Sequence, residues 1–243
     1  MELNMLPLVF SASKASWQAH PNHGIAKENP ILHAAVSKRY NNTCQYCGWV
    51  DLEFNEVSNI DENHLNNNED NLILACPLCH QCLHLGQVAA AEGGRMIWAP
   101  ELTQVEINHL ARVYWLAEFD PEHKLIGSAR ALTNKIEHQS HVLEAHYVPG
   151  ASDPGFWAEV LIKLTPEQYK DRDNLLKNIR LWPNLTRFKK MVPKWAKVIS
   201  VNLPNSEWER LAKNKEVENE SAVVNLDKDV FLENDEEIVG NAE

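Results

Sequence analysis

Cys44-Gln45-Tyr46-Cys47 and Cys76-Pro77-Leu78-Cys79 are the residues of this sequence best suited to chemistry. Each Cys-x-x-Cys pair folds on a tight turn and presents two thiolates. Two such pairs supply the four soft ligands of a tetrahedral zinc site. The plain alternative, four unrelated buried thiols, leaves the matched spacing unexplained. Zinc bound in this way contributes on the order of 10–16 kcal/mol of apparent binding free energy, which is also folding free energy. That is comparable with the whole stability of an ordinary domain. The reading is a structural Zn2+ held by Cys44, Cys47, Cys76 and Cys79, on which the fold is built. Cys82 follows three residues after Cys79. It either replaces Cys79 as a ligand or is an ordinary buried thiol, the more frequent situation.

The residues between the pairs carry a second pattern. Ser58-Asn59-Ile60-Asp61 is followed by an Asn-rich loop over 63–70, by Asn71-Leu72, and by Cys76-Pro77-Leu78-Cys79-His80. This resembles a zinc-containing HNH (ββα-metal) nuclease module, in which a strand ending His-His-Ile-Asp leads through such a loop to Asn-Leu and to Cys-x-x-Cys-His on a helix. Asn71 then stands for the central Asn and His80 for the final His, but the His-His positions are Ser58 and Asn59. In the nuclease the strand histidine takes a proton from the attacking water, a role worth roughly 10²–10⁴-fold in rate. Asn59 has no titratable nitrogen, and Ser58 is no base at neutral pH. His64, further along in the loop, is expected to lie elsewhere. The resemblance therefore implies the fold without the activity. Asp61 and Asn71 read as structural, with Asn71 bridging backbone groups through its amide. His80 reads as a polar helix residue; a second metal site formed with His64 and His84 is the less frequent arrangement.

The rest of the chain sets bounds. Its 243 residues are 44% hydrophobic, ordinary for a globular protein, and carry a net charge of −11 from 34 acidic and 23 basic residues. Nucleic-acid binders usually present basic patches that release phosphate counterions, and this balance runs the other way. Five cysteines, four of them in pairs, suit a reducing compartment and a metal better than a disulfide framework. Met1-Glu2-Leu3-Asn4 lacks the basic start of a signal peptide, and no apolar run approaches the roughly 18 residues of a membrane span. A soluble cytoplasmic protein is expected.

Elements follow from local signals. Residues 6–10 read as a short strand and 11–28 as irregular. Asn29-Pro30 is an N-cap with proline at the first helical position, opening a helix over 30–40. Residues 49–60 are expected to form the hairpin strands of the zinc module, and 77–85 the start of its helix. Gly93-Gly94 between the apolar runs 87–91 and 95–99 signals a hairpin, with a helix continuing through Ala91 as the alternative. Thr103 to Glu106 is a capping box that starts a helix ending near Phe119. Further helices are expected over 128–146, 156–164 and 165–179, the last broken by Trp182-Pro183. Residues 184–200 are basic and amphipathic, divided at Pro193. Trp182 and Trp195, flanked by Arg180, Arg187, Lys189, Lys190 and Lys194, either pack in the core or line a partner groove. Residues 204–243 hold twelve acidic and four basic residues and read as a disordered tail.

Several stretches together resemble the IcmJ (DotN) family of type IVB (Dot/Icm) secretion systems across nearly residues 1–200. They are Thr43-Cys44-Gln45-Tyr46-Cys47-Gly48, the altered loop from Asn59 to Leu72, and the run from Cys76 to Cys82. Pro100-Glu101-Leu102-Thr103-Gln104, Ser152-Asp153-Pro154, Lys177-Asn178-Ile179-Arg180 and residues 188–195 complete the set. The resemblance implies a cytoplasmic, non-catalytic adaptor of the coupling complex at the inner membrane, which recruits effector proteins. There it is bound by the C-terminal region of the coupling ATPase (IcmO/DotL), near DotM and the IcmS–IcmW adaptor. The fold expected is α+β: an HNH-like zinc module over about residues 30–86, elaborated by helices within one domain, 1–203, before the acidic tail. The competing reading is a divergent HNH endonuclease using His64, His80 or His84, or a DNA-binding pseudo-nuclease.

Overall fold

The Asn29 side chain accepts the Leu32 N–H at 3.1 Å and starts helix α1, Pro30–Arg39, as its proline signal predicts. A computed structural model describes residues 5–12, 29–119 and 126–199. The acidic tail and the irregular stretch beyond Ala12 lie outside the described residues. Asn41 and Asn42 end α1 in the left-handed region, at φ 49° and 55°, and turn the chain into the first cysteine pair.

The hairpin around the cysteines differs from expectation. Strand β1 is Glu56–Asn59, and its antiparallel partner β2, Leu72–Ala75, lies beyond the Asn-rich loop, with Val57 opposite Leu74. Residues 51–54 do not extend, because Asp51 Oδ1 accepts the N–H groups of Glu53 and Phe54, each at 2.9 Å. Asn71 latches the loop as anticipated. Its Nδ2 donates to Asp61 Oδ1 and to the Asn66 carbonyl, both at 2.8 Å, while its Oδ1 accepts the Asp61 N–H. A small core of Val36, Val57, Leu72 and Leu74 joins α1 to this hairpin. Helix α2, Pro77–Cys82, completes a ββα arrangement and is followed by α3, Leu85–Ala90.

Residues 6–10 form no strand. They run between the cysteine turn and α2 on scattered bonds, among them Leu6 N–H to the Gln45 carbonyl and Ser11 N–H to the Cys82 carbonyl. The hairpin expected across Gly93-Gly94 is also absent. The first arm is α3, the alternative reading. The second is β3, Gly94–Trp98, paired antiparallel with β4, Ile179–Pro183. Gly94 is needed for a different reason: a Cβ there would sit 2.5 Å from the Trp182 carbonyl oxygen.

Helix α4, Gln104–Phe119, opens on the expected capping box. Thr103 N–H donates to Glu106 Oε2 at 2.8 Å, and Glu106 N–H donates to Thr103 Oγ1 at 3.2 Å. Helices α5, Ile126–His146, and α6, Pro154–Lys163, follow. The single helix expected over 165–179 is two short ones, α7 (Pro166–Lys170) and α8 (Arg172–Leu175), which give way to β4. Ile179 and Leu181 alternate into the core, while Arg180 between them donates to the Leu102 carbonyl at 2.5 Å. Gln104 Oε1 accepts the Leu181 N–H at 2.8 Å, tying α4 to the strand. The main core gathers Leu85, Val88, Met96, Leu143, Trp157, Leu161, Ile179 and Leu181. Helices α9, Leu185–Phe188, and α10, Val192–Ile199, close the described chain, with Pro193 in the first turn of α10.

The architecture is α+β, with small antiparallel sheets among helices. The partner groove weighed for Trp182 and Trp195 is not shared by the two: Trp182 lines a cavity with Tyr114 and Trp115, whereas Trp195 packs in the core. Both indoles are buried, at 8% and 2% exposure, and Trp195 stacks with Trp115 and Phe188. No described helix is long and apolar enough to cross a membrane. The β3–β4 contact predicts that Gly94→Ala lowers stability by about 1–3 kcal/mol in chemical denaturation, since the new methyl meets backbone that cannot yield. An unchanged midpoint would contradict the close approach of the two strands.

Candidate metal centre

The first turn is set by backbone geometry. Gly48 N–H donates to the Cys44 carbonyl at 3.0 Å, and Gly48 adopts φ +71°, where an L side chain is strained. Cys44 and Cys47 thereby face one point. The second pair sits where β2 runs into α2: Cys76 precedes Pro77, and Cys79 lies in the first helical turn. Gln45 N–H donates to the Leu74 carbonyl at 2.8 Å and fixes the first turn against β2. The ligand atoms of Cys44, Cys47, Cys76 and Cys79 all lie within 4.8 Å of one another, and the Cys47 and Cys76 sulfurs are 3.6 Å apart. A tetrahedron with metal–sulfur bonds of about 2.3 Å has edges of about 3.8 Å, so the set fits a four-coordinate metal ion. It is the only such group among the described residues.

The surroundings favour thiolate. Burial opposes ionisation of Cys76. Hydrogen bonds with Cys44, Cys47 and Cys79 and the charge of Arg112 outweigh it, and hold Cys76 well below the usual thiol value. Arg112 Nη2 donates to Cys76 Sγ at 2.7 Å, and Asn108 Nδ2 donates to Cys79 Sγ at 3.4 Å. Without a metal four thiols this close cannot all ionise, and Cys44 is pushed far up by its thiol neighbours Cys47 and Cys76. Sequence reasoning missed Arg112 and Asn108. They lie four apart on the face of α4 that buries Ile107, Ala111 and Trp115, not on the side of Val105 and Val113, and no local pattern marks them.

Cys82 stands apart from this set. It is fully buried in the main core, its Sγ donates to the Leu78 carbonyl at 3.3 Å, and burial keeps it a thiol. The histidines hold a correction. His64 was expected to lie elsewhere, yet the latched loop folds back so that it lines one cavity with Ser58, Asn59 and His84. Its ring stacks on His84 at 5.1 Å, and His80 meets His84 at 4.6 Å. The imidazoles gather by their faces, and their ligand atoms do not converge as the four sulfurs do. His80 Nδ1 lies 3.2 Å from Glu56 Oε2, while Asn59 Nδ2 donates to the Asn66 carbonyl at 2.8 Å as part of the loop latch.

Burial holds His84 well below the usual histidine value, and His80, His64 and Arg187 reinforce the shift. Above about pH 6.5 the imidazole is neutral folded or unfolded; below it the unfolded chain takes a proton that the folded one refuses. Stability is therefore lost as pH falls, by up to about tenfold in the folding equilibrium per pH unit. Denaturation between pH 7 and 5 should show the wild-type chain losing stability more steeply than His84→Gln. Equal slopes would contradict a neutral buried His84.

No family model matches the chain. It is 32% identical over 192 residues to the type 4 apparatus protein DotN of Legionella pneumophila, and the match covers 78% of this chain and 89% of that protein. Identity at this level across most of both chains, beyond the metal module alone, shows that the chain belongs to the DotN (IcmJ) family.

Proposed function

We propose that this protein is a non-catalytic structural subunit of a type IVB (Dot/Icm) secretion apparatus. In its coupling complex it binds the C-terminal region of the coupling ATPase IcmO/DotL, beside DotM and the IcmS–IcmW adaptor, and helps to recruit effectors. It acts on the cytoplasmic side of the inner membrane, held there by its complex. The observation that carries this reading is kinship with a type 4 apparatus protein over 89% of that protein's length.

The metal assigned to the cysteines is zinc in a structural role. Four thiolates close a tetrahedral ion, whereas catalytic zinc sites keep a position open for water or substrate. Asn59, where a nuclease of the HNH kind would hold its base, is tied into the loop latch and cannot accept a proton. The gathering of His64, His80 and His84 is the one feature that favours a divergent nuclease.

A tagged chain isolated from membranes of its own cells should bring down the coupling ATPase and carry about one zinc per chain. Recovery of zinc without any secretion component, together with metal-dependent nicking of plasmid DNA that is lost in His80→Ala, would overturn the assignment. Cys76→Ser should lose the metal and most cooperative unfolding, while Cys82→Ser should keep both. Metal loss in Cys82→Ser as well would show that the ligand set is wrong.

A further inference from the structure

Arg112 is 1% exposed, and its guanidinium cannot shed its proton. A cation buried this deeply needs a counter-charge. Among the described residues no carboxylate pairs with it, and its Nε has no hydrogen-bond acceptor. Its polar contacts are Cys76 Sγ at 2.7 Å and, more distantly, His109 Nδ1 at 3.4 Å. Its flat faces lie against two indoles, 4.4 Å from the ring of Trp49 and 5.5 Å from that of Trp195. A divalent ion with four thiolates carries two net negative charges. That is the counter-charge in reach.

We propose that Arg112 is the internal countercation of the metal centre, and that it makes docking of α10 depend on metal occupancy. The route is short. Trp49 follows the first cysteine turn directly, and Trp195 is the buried residue of α10 over the same guanidinium. Two polar ties of α10 lead back to the same turn, beside the stacking of Trp195 on Trp115 and Phe188. Trp195 Nε1 donates to Asp51 Oδ2 at 2.7 Å, and Lys194 pairs with Glu53. Loss of the metal frees Cys76 Sγ, 2.7 Å from Arg112 Nη2, from the ion that fixes it against the guanidinium. It also releases the turn that carries Trp49, Asp51 and Glu53. The guanidinium contact and the polar ties of α10 then weaken together, leaving Trp195 only its stacking on Trp115 and Phe188. Arg112 is a positioning residue here: it acts on α10 through the metal centre and the indoles.

The inference rests on the metal assignment above. Failure of that assignment would appear as absence of metal in the wild-type chain, whereas this inference is tested on metal-loaded variants. Arg112→Met and Arg112→Lys would be compared with wild type in the full chain. Competition with a chromogenic chelator should show zinc held about 10–100-fold more weakly in Arg112→Met, with partial rescue in Arg112→Lys. The sulfur-to-cobalt charge-transfer band of the cobalt-loaded chain should move to longer wavelength in Arg112→Met, because an N–H···S bond is lost. Hydrogen exchange should show α10 losing protection in zinc-loaded Arg112→Met while α6 keeps its own, and Arg112→Met should destabilise the metal-free chain less than the loaded one. Unchanged zinc affinity and cobalt spectrum, with equal destabilisation of the loaded and metal-free chains, would reduce Arg112 to a packing residue and overturn the proposal. Unaltered protection of α10 would do the same for the coupling.

Discussion

Four sulfur atoms from two turns, with Cys47 and Cys76 29 residues apart in sequence, must come within 4.8 Å of one another. Most of the N-terminal half is arranged around that requirement. The β1–β2 register delivers Cys76 to the end of its strand, and the Gln45–Leu74 bond sets the first turn against it. The Asn71 latch keeps the intervening loop from straining the hairpin. The small core of Val36, Val57, Leu72 and Leu74 is too slight to hold this geometry unaided. Without a metal the packed thiols oppose one another; with one, their charge becomes the attraction that closes the module.

The second half is organised differently. A larger apolar core carries β3, β4 and the helices α3, α5 and α6, and α4 links β4 and α5 to the helix of the second cysteine pair. One stripe of α4 serves both: Gln104 bonds Leu181 of β4, and Asn108 and Arg112, one and two turns on, donate to the sulfurs. The aromatic group of Trp115, Phe188 and Trp195 then packs the C-terminal helices over the same place. The cysteine cluster therefore faces the protein's own interior, with Cys44, Cys76 and Cys79 fully buried.

Local chemistry was legible in the sequence, and long-range pairing was not. The cysteine spacing, the Asn29-Pro30 start, the capping box at Thr103 and the Asn71 bridge each act within a few residues, and each stands where the sequence put it. Strand β4 was read as the end of a helix because its partner, β3, lies more than eighty residues earlier. Gly93-Gly94 suggested a turn, whereas Gly94 is demanded by the Trp182 carbonyl. Arg112 was hidden for the same reason: a lone arginine in an amphipathic helix reads as solvated until the sulfurs it faces are folded against it. His64 was misplaced because the loop latch, not strand continuity, decides where it lies.

The proposed zinc site needs Cys44, Cys47, Cys76 and Cys79 and no other ligand. X-ray absorption at the zinc edge of the purified chain tests it most directly. The spectrum should show a shell of four sulfurs at about 2.3 Å and no nitrogen. A shell in which imidazole nitrogen at about 2.0 Å replaces sulfur would contradict it and would move the metal toward His64, His80 and His84.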